Sequence, residues 1–230
     1  MSYSERDYEV WKKNELKLED TFRFECGMCG QCCRNRKEPI ILTGADVFRI
    51  SKSLGTSIEE VIAKNTIGYI GENSHAPVLV LKERLDGSCR LLRNGKCMVH
   101  QDKPVVCALY PLGRFFDMRD NSFHYFLNPY TCQFGESSGK VWTLREWLNE
   151  FKVEETEAMT AAWNRLVGGL AQVTCKMDRD KITGRLLDIL IGALYMEYNL
   201  NAPYIQQVEK HMESTKRIFE KEFHKKVTFQ

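Results

Sequence analysis

Residues 26–33 read CGMCGQCC, four cysteines in eight positions with two of them adjacent. Gly27 and Gly30 give this octet the backbone freedom that a loop needs to wrap around an ion. Cys26, Cys29 and Cys32 have the spacing C-x2-C-x2-C, which lets a short loop turn three sulfurs toward one centre. Iron–sulfur clusters of the bacterial ferredoxin kind take three ligands from such a run and a fourth from elsewhere. Structural zinc sites more often pair two C-x2-C knuckles around one tetrahedral ion. Working outward, Cys89, Cys97, Cys107 and Cys132 follow at gaps of seven, nine and 24 residues. A second knuckle is missing, so the triplet leans toward iron–sulfur. Zinc stays open, because zinc sites also assemble from irregular spacings.

Adjacent side chains in an extended segment point to opposite sides, so Cys33 is expected to look away from the centre that Cys32 joins. The thiolates of Cys26, Cys29, Cys32, Cys33, Cys89, Cys97, Cys107 and Cys132 suffice for two tetrahedral sites, two 4Fe-4S clusters, or one cluster with thiols to spare. Thiolates this dense repel one another unless a bound cation keeps them deprotonated and neutralised. Arg34, Arg36 and Lys37 directly follow the octet, either as partners for residual negative charge or as ordinary loop solubilisers. The radical S-adenosylmethionine spacing C-x3-C-x2-C fails at Arg36, and no Walker loop, G-x-G-x-x-G or H-E-x-x-H is found. His100 is a secondary ligand candidate. His124 reads as a packed histidine, Cys175 as a buried small hydrophobe, Tyr110 as packing beside Pro111, and Trp142, Trp147 and Trp163 as core anchors.

The 230 residues are 43% hydrophobic with a net charge of +2. That is core enough for a compact domain and no signature of a general nucleic-acid binder. The basic end, KEFHKK, reads as solvated surface. The first 20 residues hold no apolar stretch of the signal-peptide kind. The run LLDILIGALYMEYNL is broken by Asp188 and Glu197 and is too short and polar to cross a bilayer. The expectation is a cytoplasmic protein without nucleic-acid or membrane partners. In a reducing compartment a cysteine cluster holds metal more readily than it forms disulfides.

Local signals predict the remaining elements. Residues 1–20 form a polar, helix-prone lead-in, and 39–42 a short strand. Thr43 caps a helix that Gly55 ends, and Thr56 with Glu59 opens a second. VLVLKE is a strand, and Asn94-Gly95 is a hairpin turn that brings Cys89 and Cys97 onto neighbouring strands. KPVVCALYP is a short helical turn that ends at Pro111. GRFFDMRDNSFHYFLNPYTC is a second hairpin around RDNS. Thr143 and Glu146 open a helical region that runs to a last helix near Pro203. The predicted class is α+β: a cysteine-rich metal-binding half of short helices and β-hairpins, then a helical C-terminal layer. The expected divisions are a lead-in at 1–23, a metal-binding region at 24–135 and a helical region at 136–230 packed on it.

The octet C-x2-C-G-x-C-C, then ILTGAD, G-S-C-x-L-L, K-C-M-V-H, K-P-V-V-C and Y-P, resembles the CxxCxxCC zinc- or iron-chelating family, the YkgJ-like cysteine-cluster proteins. The likeness runs from about Phe24 to Pro111, with Cys132 a further ligand. It implies metal binding at the eight cysteines. The family includes flagellin lysine-N-methylases, so it also implies iron–sulfur-dependent redox or protein-lysine methyl-transfer chemistry, with S-adenosylmethionine and a protein substrate or redox partner. The alternative is a zinc-binding structural or metal-trafficking protein without catalysis. Where the family usually has an apolar residue and Tyr, this chain has Val99-His100. Lys103 and Ala108 stand where it usually has arginines. The ligands are untouched by these changes, whereas any role of the two arginines is not carried over.

Overall fold

The computed structural model describes residues 11–26, 30–34, 38–117, 122–128 and 139–229. Helix accounts for 47% and strand for 20%, which makes the protein α+β, as expected. Two compact units interleave along the chain. One comprises 41–82 with 157–230, and the other comprises 2–40 with 83–156.

In the first unit, strands β3 (Ile41–Leu42), β4 (Thr66–Ile70) and β5 (Pro77–Leu81) form an antiparallel sheet in the order β3-β5-β4. Its helices are α1 (Gly44–Leu54), α2 (Ile58–Asn65), α5 (Val153–Thr174), α6 (Gly184–Ile191) and α7 (Tyr204–Glu222). A π-helical turn, Gly192–Met196, follows α6. Helix α1 starts where Thr43 Oγ1 accepts from the Asp46 N–H while the Asp46 carboxylate accepts from the Thr43 N–H. It stops at Gly55, whose φ of 64° suits a residue without Cβ. Helix α2 is capped by Ser57 rather than Thr56, one residue later than expected. The Thr56 hydroxyl instead bonds the Glu60 carboxylate, so the two hydroxyls divide the work of opening the helix. Strand β4 was not anticipated; it forms because β5 supplies a five-residue register from Thr66↔Leu81 to Ile70↔Pro77. Trp163, 8% exposed, donates from Nε1 to the Leu194 carbonyl at 2.9 Å and is the anchor the sequence implied. Cys175 is exposed, not buried. It lies just past α5, where the chain turns through Lys176 and Met177 to bond Val173 and Thr174. Its thiol therefore leaves the helix's apolar face.

The second unit holds a sheet in the order β1-β9-β8, built from β1 (Glu15–Leu16), β8 (Leu112–Asp117) and β9 (Ser122–Leu127). It also holds a ribbon of β2 (Thr21–Arg23) with β10 (Val141–Thr143), a hairpin of β6 (Leu92–Arg93) with β7 (Lys96–Cys97), and helices α3 (Val105–Leu109) and α4 (Leu144–Glu150). The aromatic hairpin β8–β9 is formed as expected, in register from Leu112↔Leu127 to Asp117↔Ser122. Residues 118–121 at its tip, and 1–10 of the lead-in, lie outside the described residues. Two parts of the lead-in are strands rather than helix. Glu15–Leu16 pairs with β9 and Thr21–Arg23 with β10, because ladder bonds to a waiting edge outweigh a weak helical preference. The Thr143 capping box opens α4 through Glu146, as predicted.

Phe22, Phe24, Leu109, Leu144, Trp147 and Leu148 are among the buried residues of this unit's core. Trp147 is central. Its ring meets Phe22, Phe24 and Trp142 edge-on at 5.6, 5.6 and 5.3 Å, and its Nε1 donates to the Leu109 carbonyl at 3.1 Å. Replacing Trp147 with Ala is expected to lower unfolding stability by about 3–5 kcal/mol. Urea denaturation measures this, and a loss below about 1 kcal/mol would show that Trp147 does not anchor this core.

Candidate metal centre

The described segments that bear candidate ligand cysteines belong to the second unit, and each is held by a different backbone device. The octet is entered from β2. The Phe24 N–H bonds the Lys140 carbonyl at 3.1 Å, Trp142 Nε1 bonds the Phe24 carbonyl at 3.0 Å, and the Phe24 ring is buried against Tyr110 and Trp147. Tyr110 thus packs, as the sequence implied. Cys26 follows and is exposed. Gly30, at φ 72°, starts a 3-10 turn, Gln31–Cys33, closed by the Cys33 N–H on the Gly30 carbonyl at 3.0 Å. A Cβ on Gly30 would lie 2.9 Å from Arg34 Nη1, so this glycine gives room to the guanidinium as well as the fold of the turn.

The 3-10 turn corrects the expectation for the adjacent pair. Cys33 does not look away from Cys32: their sulfurs are 3.9 Å apart. Three residues per turn rotate successive side chains by much less than an extended strand does. Two thiolates on one tetrahedral ion, each about 2.3 Å from it, stand about 3.8 Å apart. The observed spacing therefore fits two ligands of a single ion.

Cys33 is tied to Cys89 through the backbone. The Cys89 N–H donates to the Cys33 carbonyl at 2.8 Å, and Arg34 bridges Ser88 in antiparallel fashion. Cys89 is buried at 6% exposure. It is not on a strand facing Cys97, as expected, but one turn upstream: Cys97 pairs with Leu92, whose N–H bonds the Cys89 carbonyl. The Asn94-Gly95 turn itself is as predicted, with φ of 50° and 75°. Arg84 and Asp86, which spacing arguments missed, hold this corner. Arg84 donates to the Ser88 hydroxyl and to the carbonyls of Cys89 and Arg90 at 3.2, 2.5 and 2.8 Å. Asp86 accepts from the Ser88 N–H and hydroxyl at 3.0 and 2.6 Å. No local motif marks such a clamp, because its meaning lies in the carbonyls it reaches. Cys107 sits in α3, its N–H on the Pro104 carbonyl at 2.8 Å.

The thiols act on one another electrostatically. The Cys33 thiol is pushed well above the usual thiol range by its hydrogen bond with Cys32, by burial, and by the charges of Cys32, Cys89 and Cys107. Burial likewise raises Cys97, with Cys89 and Cys32 adding to the rise while the Val99 N–H and Lys103 oppose it. Lys103 is the cation of the group. Burial pushes its ammonium below the usual lysine range, while Cys107, Cys26, Cys32 and Cys97 pull it back up. Its Nζ rests 4.0 Å above the Phe151 ring. Cys33, Cys89, Cys97 and Cys107 are partly or fully buried, and the exposed Cys26 and Cys32 lie near enough to act on this group or on Lys103. Cys29 and Cys132 lie outside the described residues, as do Arg36 and Lys37. Among the described residues, no three His, Cys, Asp or Glu side chains form a finished metal-binding group. His100 is exposed, and partial burial and Lys103 hold its imidazole below the usual range.

Donor chemistry fits a metal that prefers thiolate, zinc or iron above all. Residues 25–133, just under half of the chain, match the model of a family described as "CxxCxxCC: Putative zinc- or iron-chelating domain". No curated protein and no solved structure matches the chain. Among the described residues no helix is long and apolar enough to cross a membrane.

Graded thiol access follows from this geometry. In reduced, metal-free protein, iodoacetamide should alkylate exposed Cys26 and Cys32 first and Cys89 last, as read by peptide mass mapping. Alkylation of Cys97 should need a higher pH than that of an unperturbed cysteine, because its raised pKa delays the thiolate. Arg84→Ala should bring Cys89 into the fast class. Unchanged protection of Cys89 in that variant would refute the clamp.

Proposed function

We propose, from the match of residues 25–133 to the model of a zinc- or iron-chelating domain, that the chain is an iron–sulfur protein whose cysteines hold one or more clusters. The observation that supports this reading is a set of linked sulfurs: Cys26, Cys32, Cys97 and Cys107 act on Lys103, and Cys33 and Cys89 act on members of that set. A single tetrahedral ion takes four ligands, and six described thiols, with Cys29 and Cys132 in addition, exceed that. Thiolate-ligated clusters carry net negative charge, and their potentials respond to nearby charge and hydrogen bonds. A half-buried lysine ammonium is placed to supply such charge. When bound, the cluster supplies one-electron redox capacity or support for methyl transfer to protein lysines.

The chain's own residues then have definable roles. Cys26, Cys29, Cys32, Cys33, Cys89, Cys97, Cys107 and Cys132 are the ligand set, from which each centre draws four. Arg84 orients the Cys89 segment, and Lys103 offsets thiolate charge. Met98 and Val106 are exposed beside Cys97 and Cys107 at 45% and 46%, an apolar rim suited to a protein redox partner or substrate. Methyl transfer would add S-adenosylmethionine. A second reading, tetrahedral zinc in a structural or trafficking role, is favoured by the 3.9 Å separation of Cys32 and Cys33. Two cysteines of a cubane ligate different irons and stand farther apart than that.

Anaerobic purification decides between them. An iron–sulfur protein is brown, absorbs broadly near ~400 nm, and contains iron and acid-labile sulfide. Stoichiometric zinc without colour would overturn the iron–sulfur reading and establish the second. In the iron-loaded protein, Lys103→Met should move the reduction potential to more negative values, because an anionic centre loses its nearby cation. Spectroelectrochemical titration measures the shift, and an unchanged potential would rule out the compensating role. Cys89→Ser should lower metal content below that of the wild type, with full retention showing that Cys89 is not a ligand.

A further inference from the structure

The β1-β9-β8 sheet carries a second constellation, apart from the thiols. Successive residues of a strand point to opposite faces, so Ser122, His124 and Phe126 of β9 share one face. The register Glu15↔Phe126 brings Glu15 onto that same face, diagonal to His124. The three polar groups are connected in series. Ser122 Oγ lies 3.1 Å from His124 Nε2, and His124 Nδ1 lies 2.8 Å from Glu15 Oε1. With Nδ1–H donated to the carboxylate, Nε2 is the ring nitrogen left to accept the serine proton, which is the tautomer that base catalysis needs.

Packing holds that arrangement in place. The imidazole stacks on Phe115 at 4.9 Å and 7°, Phe115 stacks on Trp11 at 5.8 Å, and Trp11 stacks on Phe126 at 5.3 Å. A Cβ at Gly113 would lie 2.3 Å from the Phe126 ring, so that glycine is what lets the ring lie against the sheet. The His124 and Glu15 side chains keep 27% and 22% of their surface in solvent, so a reagent can approach.

We propose that Ser122, His124 and Glu15 form a nucleophile–base–carboxylate relay that acts on carboxylic esters, with the apolar part of the ester resting on the Trp11–Phe115–Phe126 stack. Ser122 Oγ bonds to the acyl carbon as its proton passes to His124 Nε2. The ester C–O bond breaks, and the same proton leaves with the alcohol. Water then repeats the sequence: its oxygen bonds to the acyl carbon, its proton passes through Nε2 to Ser122 Oγ, and the carboxylic acid departs. Glu15 stays ionised throughout and orients the imidazole. Its carboxyl is held below the usual range by Lys17, whose Nζ lies 2.8 Å from the same oxygen, and by His124. Among the described residues, Lys17, just past β1, and Asp117 of β8, paired with Ser122, are the other charged groups beside the relay.

The test uses metal-loaded full-length protein with an alkyl fluorophosphonate and p-nitrophenyl acetate as probes. The phosphonate should attach to Ser122, located by mass spectrometry, and Ser122→Ala should lose both the label and the esterase rate. His124→Gln, which keeps an amide in the ring's place, should slow both by about 10²–10⁴-fold. Glu15→Gln should slow them less. A cross-strand clip with only a structural role would leave Ser122 as inert as any surface serine. Absence of label at Ser122, or an unaltered labelling rate in a folded His124→Gln variant, would overturn the proposal. Neither result depends on which metal the cysteines hold.

Discussion

Thiols brought together in a partly dry setting repel one another as soon as they ionise, and the second unit is organised around that conflict. Cys33 and Cys97 are held protonated by burial and by neighbouring sulfurs, while Lys103 supplies the compensating charge within the group. One ammonium does not balance six sulfurs, so the arrangement is poised for a cation. Metal binding deprotonates the thiols and replaces mutual repulsion with shared attraction. Much of the surrounding structure serves to hold the sulfur segments close enough for this to happen.

That holding is done by backbone and aromatic packing rather than by the sulfurs themselves. The β2–β10 ribbon and the Phe24–Trp147 contact fix where the octet begins. The Cys89–Cys33 hydrogen bond and the Arg34–Ser88 bridge join two segments more than fifty residues apart, and Arg84 clamps the second of them. Trp147 then links the octet's entry to the helix carrying Cys107 through its bond to the Leu109 carbonyl. The same unit also displays an aromatic sheet face on which His124 is fixed by stacking. A cysteine cluster and a Ser–His–Glu series thus stand on one scaffold without sharing a residue.

Much of this was legible in the chain. Local signals located the Thr43 and Thr143 caps, the Gly55 stop, the Asn94-Gly95 turn and the β8–β9 hairpin, because each depends on residues a few positions apart. Strands β1, β2 and β4 were not legible, since their partners lie far along the chain and nothing in their own short sequences demands extension. The adjacent Cys32-Cys33 pair was read as extended; a single glycine at positive φ makes it a 3-10 turn and reverses where Cys33 points. Cys175 was read as core from residue type alone, and its position one residue past a helix end decides otherwise.

Composition and spacing by themselves determined that the chain is an α+β protein with a thiolate-rich region suited to zinc or iron, because ligand chemistry is written in residue type and short intervals. Tertiary structure alone decided which described sulfurs are neighbours, that Lys103 lies among them, and that Glu15 meets His124 across 109 positions. Those relations depend on strand pairing and side-chain burial between distant segments. Such contacts arise from the packing of the whole unit, and no local stretch of sequence contains them.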